Sequence, residues 1–355
     1  MRRQGGPRLV VLGELNPDII VGLIGDPRFG QAEQTVDSFA VTIGGSGAIT
    51  ACAAARLGLD TALVAVVGQD VHGRLMMSEL SARGVDISHV QTSSSEPTGA
   101  TVLLVRPGGD RAILTSMGTI EALTADRVPT QVLIGADQVL LAGWFLLHGL
   151  RPGASGLLAL ARAGGASVSL DPNYDPALGW DAGIGDVLAK VDVLLVNERE
   201  ATGIAAALGQ RFGADGHTDG SDFQGGGVAG SVEFLLEQMT VEDQPGSPAR
   251  EVVLKRGADG AVCLSKAAGR PVERVTAAVP DREWLTPVTD TVGAGDCLAA
   301  AWICARLSGA TAGEALRRAV VAGSLSTRST GGVDGAATAE DIDRVLGPTA
   351  AASHA

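Results

Sequence analysis

Short apolar segments recur along the chain and alternate with longer stretches in which the apolar residues have helical spacing. The segments that predict buried strands are 9–12, 61–67, 138–141, 168–170, 193–196 and 252–254. Their length and their enrichment in Val, Leu and Ile are typical of strands that are covered on both faces. Because helical stretches separate them, the pattern predicts a parallel sheet with helices on both sides.

Part of the chain departs from this alternation. Four extended segments follow without the expected helices: 17–24, 38–43, 98–106 and 111–116. The last two are joined by Pro107-Gly108-Gly109-Asp110, whose residues favour a tight turn. We expect residues 16–43 and 98–116 to form a small β-sheet that projects from the main domain as a lid. The predicted α/β core comprises residues 8–15, 44–97 and 117–348.

Two segments are expected to lack regular structure. Residues 209–230 are rich in Gly, Asp and Ser and poor in large apolar side chains, so they cannot bury much surface. We interpret this segment as a flexible surface loop. Residues 349–355 are expected to form a disordered tail.

Composition limits the class of protein and its partners. Of 355 residues, 45% are hydrophobic but only 3% are aromatic, which suits a core of Ala, Val, Leu and Ile. The formal net charge of -13 disfavours nucleic acid and anionic membranes as partners. Charged residues interrupt the apolar runs near the start, and no apolar stretch has membrane-spanning length, so a cytoplasmic location is predicted. The cysteines lack CxxC spacing, which favours reduced thiols over structural zinc.

The segment Asp290-Thr291-Val292-Gly293-Ala294-Gly295-Asp296 precedes a stretch with helical spacing and contains the most informative chemistry. Glycines at a helix start let backbone N–H groups approach a ligand, and the helix dipole favours an anion there. A carboxylate beside a bound phosphate is unfavourable unless it accepts a proton from an attacking hydroxyl group. The segment therefore indicates an anion site with Asp296 as a general base. A plain glycine turn before a helix would have the same spacing.

This segment resembles the C-terminal motif of the ribokinase/PfkB family of carbohydrate kinases. Further segments resemble motifs of that family, in the same order and over nearly the whole chain: GELNPD at 13–18, GGSGA at 44–48, VGQDVHG at 67–73, RGVD at 83–86, NERE at 197–200 and KRGADG at 255–260. The resemblance implies an α/β fold, with a ribokinase-like three-layer αβα main domain and a small β-sheet lid. It also implies an ATP-dependent enzyme that phosphorylates a hydroxyl group of a small sugar-like acceptor.

The resemblance implies roles for individual residues at the reacting centre. Asp296 would be the general base, while the N–H groups of Gly293, Ala294 and Gly295 would stabilise charge on the transferred phosphoryl group. The acceptor would be held by Asn16, Asp18, Gly44 and Gly45. Two further residues, Trp144 and Asn173, follow predicted strands at the edge where such sheets bind ligands, so we expect them to shape the acceptor pocket.

The nucleotide side is assigned in the same way. Residues expected to contact ATP or its phosphates are Asn197, Glu200, Lys255, Gly257, Gly260 and Thr291. Glu200 would reach Mg²⁺ through water, and backbone oxygens of Asp290 and Val292 are candidates to hold a monovalent cation such as K⁺. Because lids of this kind in relatives often form dimer contacts, a homodimer through the lid is expected.

Departures from the family pattern leave alternatives open. Ile49 stands where the family often has Asn, and Ser46 where ribokinases often have Lys, so ribose specificity does not follow. A nucleoside could replace a sugar as acceptor, and a catalytically silent sensor of sugar or nucleotide would share the fold. A dinucleotide-dependent oxidoreductase is a weaker alternative, because Thr50 stands where its third glycine should be. Asn197 and Glu200 could also serve only to cap a helix.

Overall fold

A computed structural model describes residues 8–107, 110–211, 227–239, 248–280 and 288–347, and the predicted tail at 349–355 lies outside them. The strands are β1 Arg8–Leu12, β2 Asn16–Gly22, β3 Ser38–Gly44, β4 Asp60–Gly68, β5 Val90–Ser93, β6 Ala100–Val105, β7 Arg111–Ser116, β8 Gln138–Ala142, β9 Ser167–Asp171, β10 Val193–Asn197, β11 Arg250–Lys255, β12 Ala261–Lys266 and β13 Glu273–Ala277. The helices are α1 Ser46–Arg56, α2 Val71–Ala82, α3 Thr130–Ile134, α4 Arg151–Ala163, α5 Gly185–Leu188, α6 Glu198–Arg211, α7 Gly227–Gln238, α8 Ala294–Leu307, α9 Ala312–Ser326 and α10 Ala339–Leu346.

The main domain is built on a nine-stranded sheet with the order β13-β12-β11-β10-β9-β8-β1-β4-β5. The strands from β11 to β5 pair in parallel, whereas β12 and β13 are added to one edge in antiparallel fashion. Each of the predicted apolar segments lies within one of these strands. The predicted α/β sheet is confirmed, and the antiparallel edge is an addition that the sequence pattern did not indicate.

Helices cover both faces of this sheet, because consecutive residues of a strand point to opposite sides. In β1, Leu9 and Val11 belong to an apolar cluster shared with α1, α8 and α9. Their neighbours Val10 and Leu12 belong to a second cluster, shared with α4, α6 and α7. Small side chains such as Ala299–Ala301 let α8 pack closely against its neighbours. The predicted three-layer αβα arrangement is therefore confirmed.

A second, four-stranded sheet has the order β3-β2-β6-β7. Strands β2 and β3 pair in antiparallel fashion, β2 and β6 in parallel, and β6 and β7 form the predicted hairpin. The backbone N–H of Arg106 donates to the carbonyl oxygen of Asp110 at 2.8 Å, which holds the neighbouring ends of β6 and β7 together. From one face of the sheet, Ile20 and Leu103 pack against Val292, in the loop that precedes α8. The smaller sheet thus contacts the segment that the sequence singled out.

The structure differs from the flexible loop predicted at 209–230 at both of its ends. Helix α6 ends at Arg211 and α7 begins at Gly227, so both ends of the predicted loop are helical, and residues 212–226 lie outside the described residues. The helices extend this far because each buries apolar side chains near these ends, including Leu208 and Val232.

Among the described residues, no helix combines the length and the apolar character needed to cross a membrane.

Candidate active site

The carboxylate of Asp296 lies in the first turn of α8, and the residue is half-buried. The helix begins after Gly293, which has a left-handed φ of 73°. A Cβ atom at Gly293 would overlap with the backbone of Gly332, so both the conformation and the packing require glycine. Contact with the loop that contains Gly332 therefore requires the glycine before α8. Asp296 lies in the first turn, where the backbone N–H groups have no hydrogen-bond partner within the helix.

Ser46, the first residue of α1, donates hydrogen bonds to two carboxylates, those of Asp296 and Glu14. The Ser46 hydroxyl donates a hydrogen bond to Asp296 Oδ1 at 2.7 Å, and the Ser46 backbone N–H donates to Glu14 Oε1 at 2.8 Å. Glu14 is only 4% exposed, and its second oxygen, Oε2, has no hydrogen-bond partner among the described residues. Neither side chain was assigned a role from the sequence, although both belong to motifs that it contains.

A buried ion pair lies beside Asp296, at the carboxyl ends of β9 and β11. Lys255 Nζ is 2.7 Å from Asp171 Oδ2. Burial lowers the pKa of Lys255, but the charges of Asp171 and Glu200 outweigh it and keep the pKa above its ordinary value. For Asp296, burial and the negative charge of Asp171 raise the pKa to about 8, against the opposing effect of Lys255.

The predicted acceptor residues Asn16, Asp18, Gly44 and Gly45 lie together where β2 and β3 meet the main domain. Asn16 Nδ2 is 3.3 Å from Asp18 Oδ1, and the Asp18 carboxylate lies against the Cα atom of Gly44, where any Cβ atom would overlap with it. Gly45 has a φ of 88°, and its Cβ atom would lie 2.6 Å from the Glu14 carbonyl oxygen. Burial and the nearby charge of Glu14 raise the pKa of Asp18 to about 7.

The structure places the two remaining acceptor candidates differently from one another. Trp144 follows β8 but is 2% exposed and belongs to the apolar cluster on one face of the sheet. This burial among apolar side chains favours a role in the core, and the contact of Trp144 with the acceptor stays a prediction. Asn173 is partly exposed, adopts a left-handed φ of 60° and lies two residues after Asp171, so it remains a candidate.

Asn197 and Glu200 form a reciprocal pair at the start of α6. The Glu200 carboxylate accepts from the backbone N–H of Asn197 at 2.8 Å and from its side-chain amide at 2.6 Å. In return, the Glu200 N–H donates to Asn197 Oδ1 at 2.9 Å. This is the helix-capping role left open above, yet Glu200 is also close enough to Lys255 and Asp171 for their charges to act on it. Burial raises the pKa of Glu200, and Lys255 opposes that rise.

The KRGADG segment forms the turn between β11 and β12. Gly257 and Gly260 have φ values of 53° and 79°, and the Arg256 N–H donates to the Gly260 carbonyl oxygen at 2.8 Å. Asn197 and Lys255 are register partners in neighbouring strands. The two predicted nucleotide segments are therefore adjacent at one edge of the sheet.

Asp290 organises the loop before α8. Its two carboxylate oxygens accept from the backbone N–H groups of Val292 and Gly331, each at 2.9 Å. The N–H of Ala294, one of the predicted phosphate donors, makes a long bond of 3.4 Å to the Thr291 carbonyl oxygen. Arg111, in the small sheet, donates to the Thr291 hydroxyl at 3.0 Å. Sequence reasoning missed Arg111, because a single arginine in a predicted strand is not distinctive.

The fold and this site define an α/β phosphotransferase, with a carboxylate at a glycine-initiated helix, a buried lysine and a second sheet in contact with the same loop. The model of the pfkB family carbohydrate kinase matches residues 7–339, and the chain belongs to this family. It is therefore a carbohydrate kinase. The predicted family, fold class and enzyme class are confirmed, and membership of this family excludes the dinucleotide-dependent oxidoreductase.

Individual relatives support the same placement. The chain is 30% identical over 339 residues to the ATP-dependent ribose-1-phosphate kinase of Halopiger xanaduensis, covering 95% of this chain and 96% of that protein. Its fold is similar to that of Arabidopsis thaliana ribokinase complexed with ribose and ATP, with a TM-score of 0.74, 23% identity and coverage of 97% and 100% of the two chains. A putative ribokinase II from E. coli in complex with ATP and Mg²⁺ has a TM-score of 0.73 at 22% identity, with coverage of 96% and 99%.

Proposed function

We propose that the enzyme transfers the γ-phosphoryl group of ATP to a hydroxyl group of a sugar, with Asp296 as the general base. The observation that carries this proposal is the Asp296 carboxylate in the first turn of α8, beside the backbone N–H groups of 293–295. Its pKa, raised to about 8 by burial and by Asp171, suits a group that must take up a proton near neutral pH. The acceptor oxygen attacks phosphorus in line as its proton passes to Asp296.

The glycine-rich helix start would stabilise the charge of the phosphoryl group in flight. The N–H groups of Gly293, Ala294 and Gly295 lie where the helix dipole also favours an anion. The weak bond from Ala294 to the Thr291 carbonyl oxygen can be exchanged for a stronger one to a phosphate oxygen. Lys255 supplies positive charge nearby, since its side chain passes within 3.5 Å of the position of a Cβ atom on Gly295.

Mg²⁺ is proposed to bind with ATP, as in the E. coli relative solved with both. The residues present fit such an ion: Asp171 and Glu200 place two carboxylates around the single ammonium of Lys255, and Asp171 Oδ1 is buried without a hydrogen-bond partner in the described part of the chain. Glu200 would contact the ion through water, because Mg²⁺ retains much of its hydration shell. The ion would neutralise charge on the phosphates.

A monovalent cation such as K⁺ is a further proposal for the loop before α8. The Asp290 carboxylate fixes this loop through Val292 and Gly331, so the backbone oxygens of Asp290 and Val292 are held in defined positions. Fixed backbone carbonyls are suitable ligands for such an ion. Initial rates in K⁺ compared with Na⁺ and tetramethylammonium, at equal ionic strength, test this proposal.

The acceptor is proposed to be a ribose-like sugar or its 1-phosphate, on the basis of the full-length similarity to the ribose-1-phosphate kinase. Asp18 and the backbone of Gly44 and Gly45 would hold its hydroxyl groups, and Asn16 would orient Asp18. A nucleoside remains the alternative acceptor. An assay of ADP release with ribose, ribose 1-phosphate, 2-dehydro-3-deoxygluconate and a nucleoside discriminates among these.

The small sheet, residues 16–43 and 98–116, is proposed to act as a lid. It already touches the loop before α8 through Ile20, Leu103 and Arg111, so an acceptor bound at Asp18 would be enclosed between the two sheets. Enclosure would keep water from competing for the phosphoryl group. Slower hydrogen exchange in the lid on acceptor binding is the expected result, and unchanged exchange would count against closure.

A homodimer through the lid is also proposed. The outer face of the small sheet, defined as the side that points away from Val292, carries two rows of apolar residues across all four strands: Val41, Ile19, Val102 and Leu114, then Phe39, Val21, Leu104 and Ala112. Phe39 is 65% and Leu114 56% exposed. A contiguous apolar face of this kind is typical of an interaction surface. A second copy of the chain could cover it in a symmetric contact.

A cytoplasmic location remains a prediction.

The proposed function is tested by Asp296→Asn. We expect turnover to fall by a factor of roughly a hundred to ten thousand, while ATP binding changes little, because the amide keeps the shape but cannot accept the proton. Asp343→Asn is the control, because this carboxylate lies in α10, outside the proposed site, and is 60% exposed. Retention of near-normal turnover by Asp296→Asn would contradict the proposal.

A further inference from the structure

Two hydrogen bonds join three residues that are far apart in the sequence. Ser46, the first residue of α1, donates through its hydroxyl to Asp296 Oδ1 at 2.7 Å. Its backbone N–H donates to Glu14 Oε1, in the segment after β1, at 2.8 Å. Asp296 Oδ2 makes no hydrogen bond to the described residues. One oxygen of the proposed base is thus held, and the other is available to take a proton.

The side chain that anchors Ser46 has little freedom to move. Glu14 is 4% and Ser46 9% exposed. The backbone of Gly45 lies against Glu14 so closely that a Cβ atom would be 2.9 Å from its Cγ. On the other side, a Cβ atom at Gly143 would overlap with the Glu14 carboxylate. These glycines enclose the carboxylate, so its hydrogen bond to Ser46 has one geometry.

We propose that Ser46 is a positioning residue for the Asp296 base and that Glu14 fixes Ser46 in the orientation this requires. The inference rests on the proposed role of Asp296. The Ser46 hydroxyl, by bonding to Oδ1, turns Oδ2 towards the acceptor hydroxyl. Glu14 does not touch the reacting atoms and acts through Ser46.

The charged groups that face Asp296 come from three elements. Asp171 at the end of β9, Lys255 at the end of β11 and Glu14 after β1 all act on it, and Ser46 contacts it from α1. The hydrogen bond from Ser46 lowers the pKa of Asp296, whereas the charge of Glu14 raises it. Loss of Ser46 and loss of the Glu14 charge should therefore move the pKa of Asp296 in opposite directions.

The test compares kcat/KM for the acceptor as a function of pH in Ser46→Ala, Ser46→Thr and Glu14→Gln. In Ser46→Ala we expect kcat/KM for the acceptor to fall roughly tenfold and the acid limb of its pH profile to move up by about one pH unit, the effect of losing one hydrogen bond to a charged group. Ser46→Thr keeps a hydroxyl and should restore both values. Glu14→Gln keeps an oxygen that can accept from Ser46 but removes the charge, so its acid limb should move down.

Ser231→Ala is the matched control, because Ser231 is also a buried helical serine, and its hydroxyl donates to the Gly227 carbonyl oxygen within α7. It should leave the pH profile unchanged. Circular dichroism and thermal melting check that each variant is folded. If Ser46→Ala does not fold, the pH profile of Glu14→Gln still tests the inference. If the acid limbs of Ser46→Ala and Glu14→Gln coincide with that of Ser231→Ala, the inference is wrong while Asp296 remains the base. If Asp296→Asn retains turnover, the proposed function itself fails.

Discussion

Arg111 and Thr291 connect the small sheet to the loop that precedes α8. Arg111 Nη1 is 3.0 Å from the Thr291 hydroxyl oxygen and 3.6 Å from Asp290 Oδ1. The arginine begins β7, and its partners belong to the loop whose backbone is proposed to bind phosphate. The small sheet and this loop therefore cannot move independently without breaking a charge-assisted contact.

Replacing Arg111 should allow the small sheet and the loop before α8 to move independently. In Arg111→Ala we expect kcat/KM for the acceptor to fall roughly tenfold, because a hydrogen bond and an ion pair that hold the loop are both lost. Hydrogen exchange in residues 288–294 should become faster. Arg106→Ala is the control, since Arg106 lies in the same sheet and pairs with the exposed Asp26 at 2.8 Å. Equal kinetics in the two variants would show that the contact with Thr291 has no role in turnover.

The sequence predicted the elements of this fold better than their contacts. The buried strands were predicted because short runs of Val and Leu, separated by stretches with helical spacing, are typical of strands covered on both faces. The hydrogen bond from Ser46 to Asp296 joins residues 250 positions apart, and that from Arg111 to Thr291 joins residues 180 apart. Periodicity contains no information on such pairs. Only the order of family motifs placed Asp296 near the glycine segment that contains Ser46.

The candidate site was predicted where backbone conformation restricts the residue type. Gly293 and Gly45 need left-handed φ angles, and such positions leave a glycine pattern in the sequence. Trp144 shows the opposite case. A large aromatic residue after a strand suits a pocket wall or a core equally well, and the packing of the surrounding helices, which the local sequence does not specify, buries it.

The buried carboxylate of Asp18 should make the stability of the ligand-free enzyme depend on pH. Its pKa is about 7 in the folded chain but near 3.8 in an unfolded one, so the folded state holds a proton that the unfolded state releases. Its contribution to stability is greatest below pH 4 and is lost as the pH rises to about 7. Asp18→Asn removes this loss. From pH 5 to pH 8, the free energy of unfolding of the variant should therefore increase by roughly 2–4 kcal/mol relative to that of the parent.

Urea unfolding at pH 5 and pH 8, without nucleotide or sugar, measures this gain. The control is Asp26→Asn, whose carboxylate is 70% exposed and should give no pH-dependent difference. A parallel pH dependence in the parent and in Asp18→Asn would mean that Asp18 is ionised throughout this range. The Asp18 carboxylate would then be solvated more fully than its burial indicates.

A charge on the outer face of the small sheet should prevent the proposed dimer. Leu114 lies in the row formed with Val102, Ile19 and Val41, and Leu114→Asp would bury a carboxylate in the contact. Light scattering after size exclusion should give a dimer mass for the parent and a monomer mass for this variant. Val71→Asp, at a residue of α2 that is 62% exposed, should remain dimeric. A monomeric parent would contradict the proposed interface.

A single added methyl group should separate acceptor binding from nucleotide binding. The Asp18 carboxylate lies against Gly44, so the Cβ atom of Gly44→Ala would overlap with Oδ1 and displace the side chain. We expect KM for the sugar to rise at least roughly tenfold, because a displaced carboxylate no longer pairs with the sugar hydroxyls, while ATP affinity stays the same. Gly156→Ala is the control, since Gly156 lies within α4 and, apart from the backbone of that helix, no described residue lies within 4 Å of an added Cβ atom. An unchanged KM for the sugar in Gly44→Ala, with the fold intact, would show that the acceptor does not use Asp18.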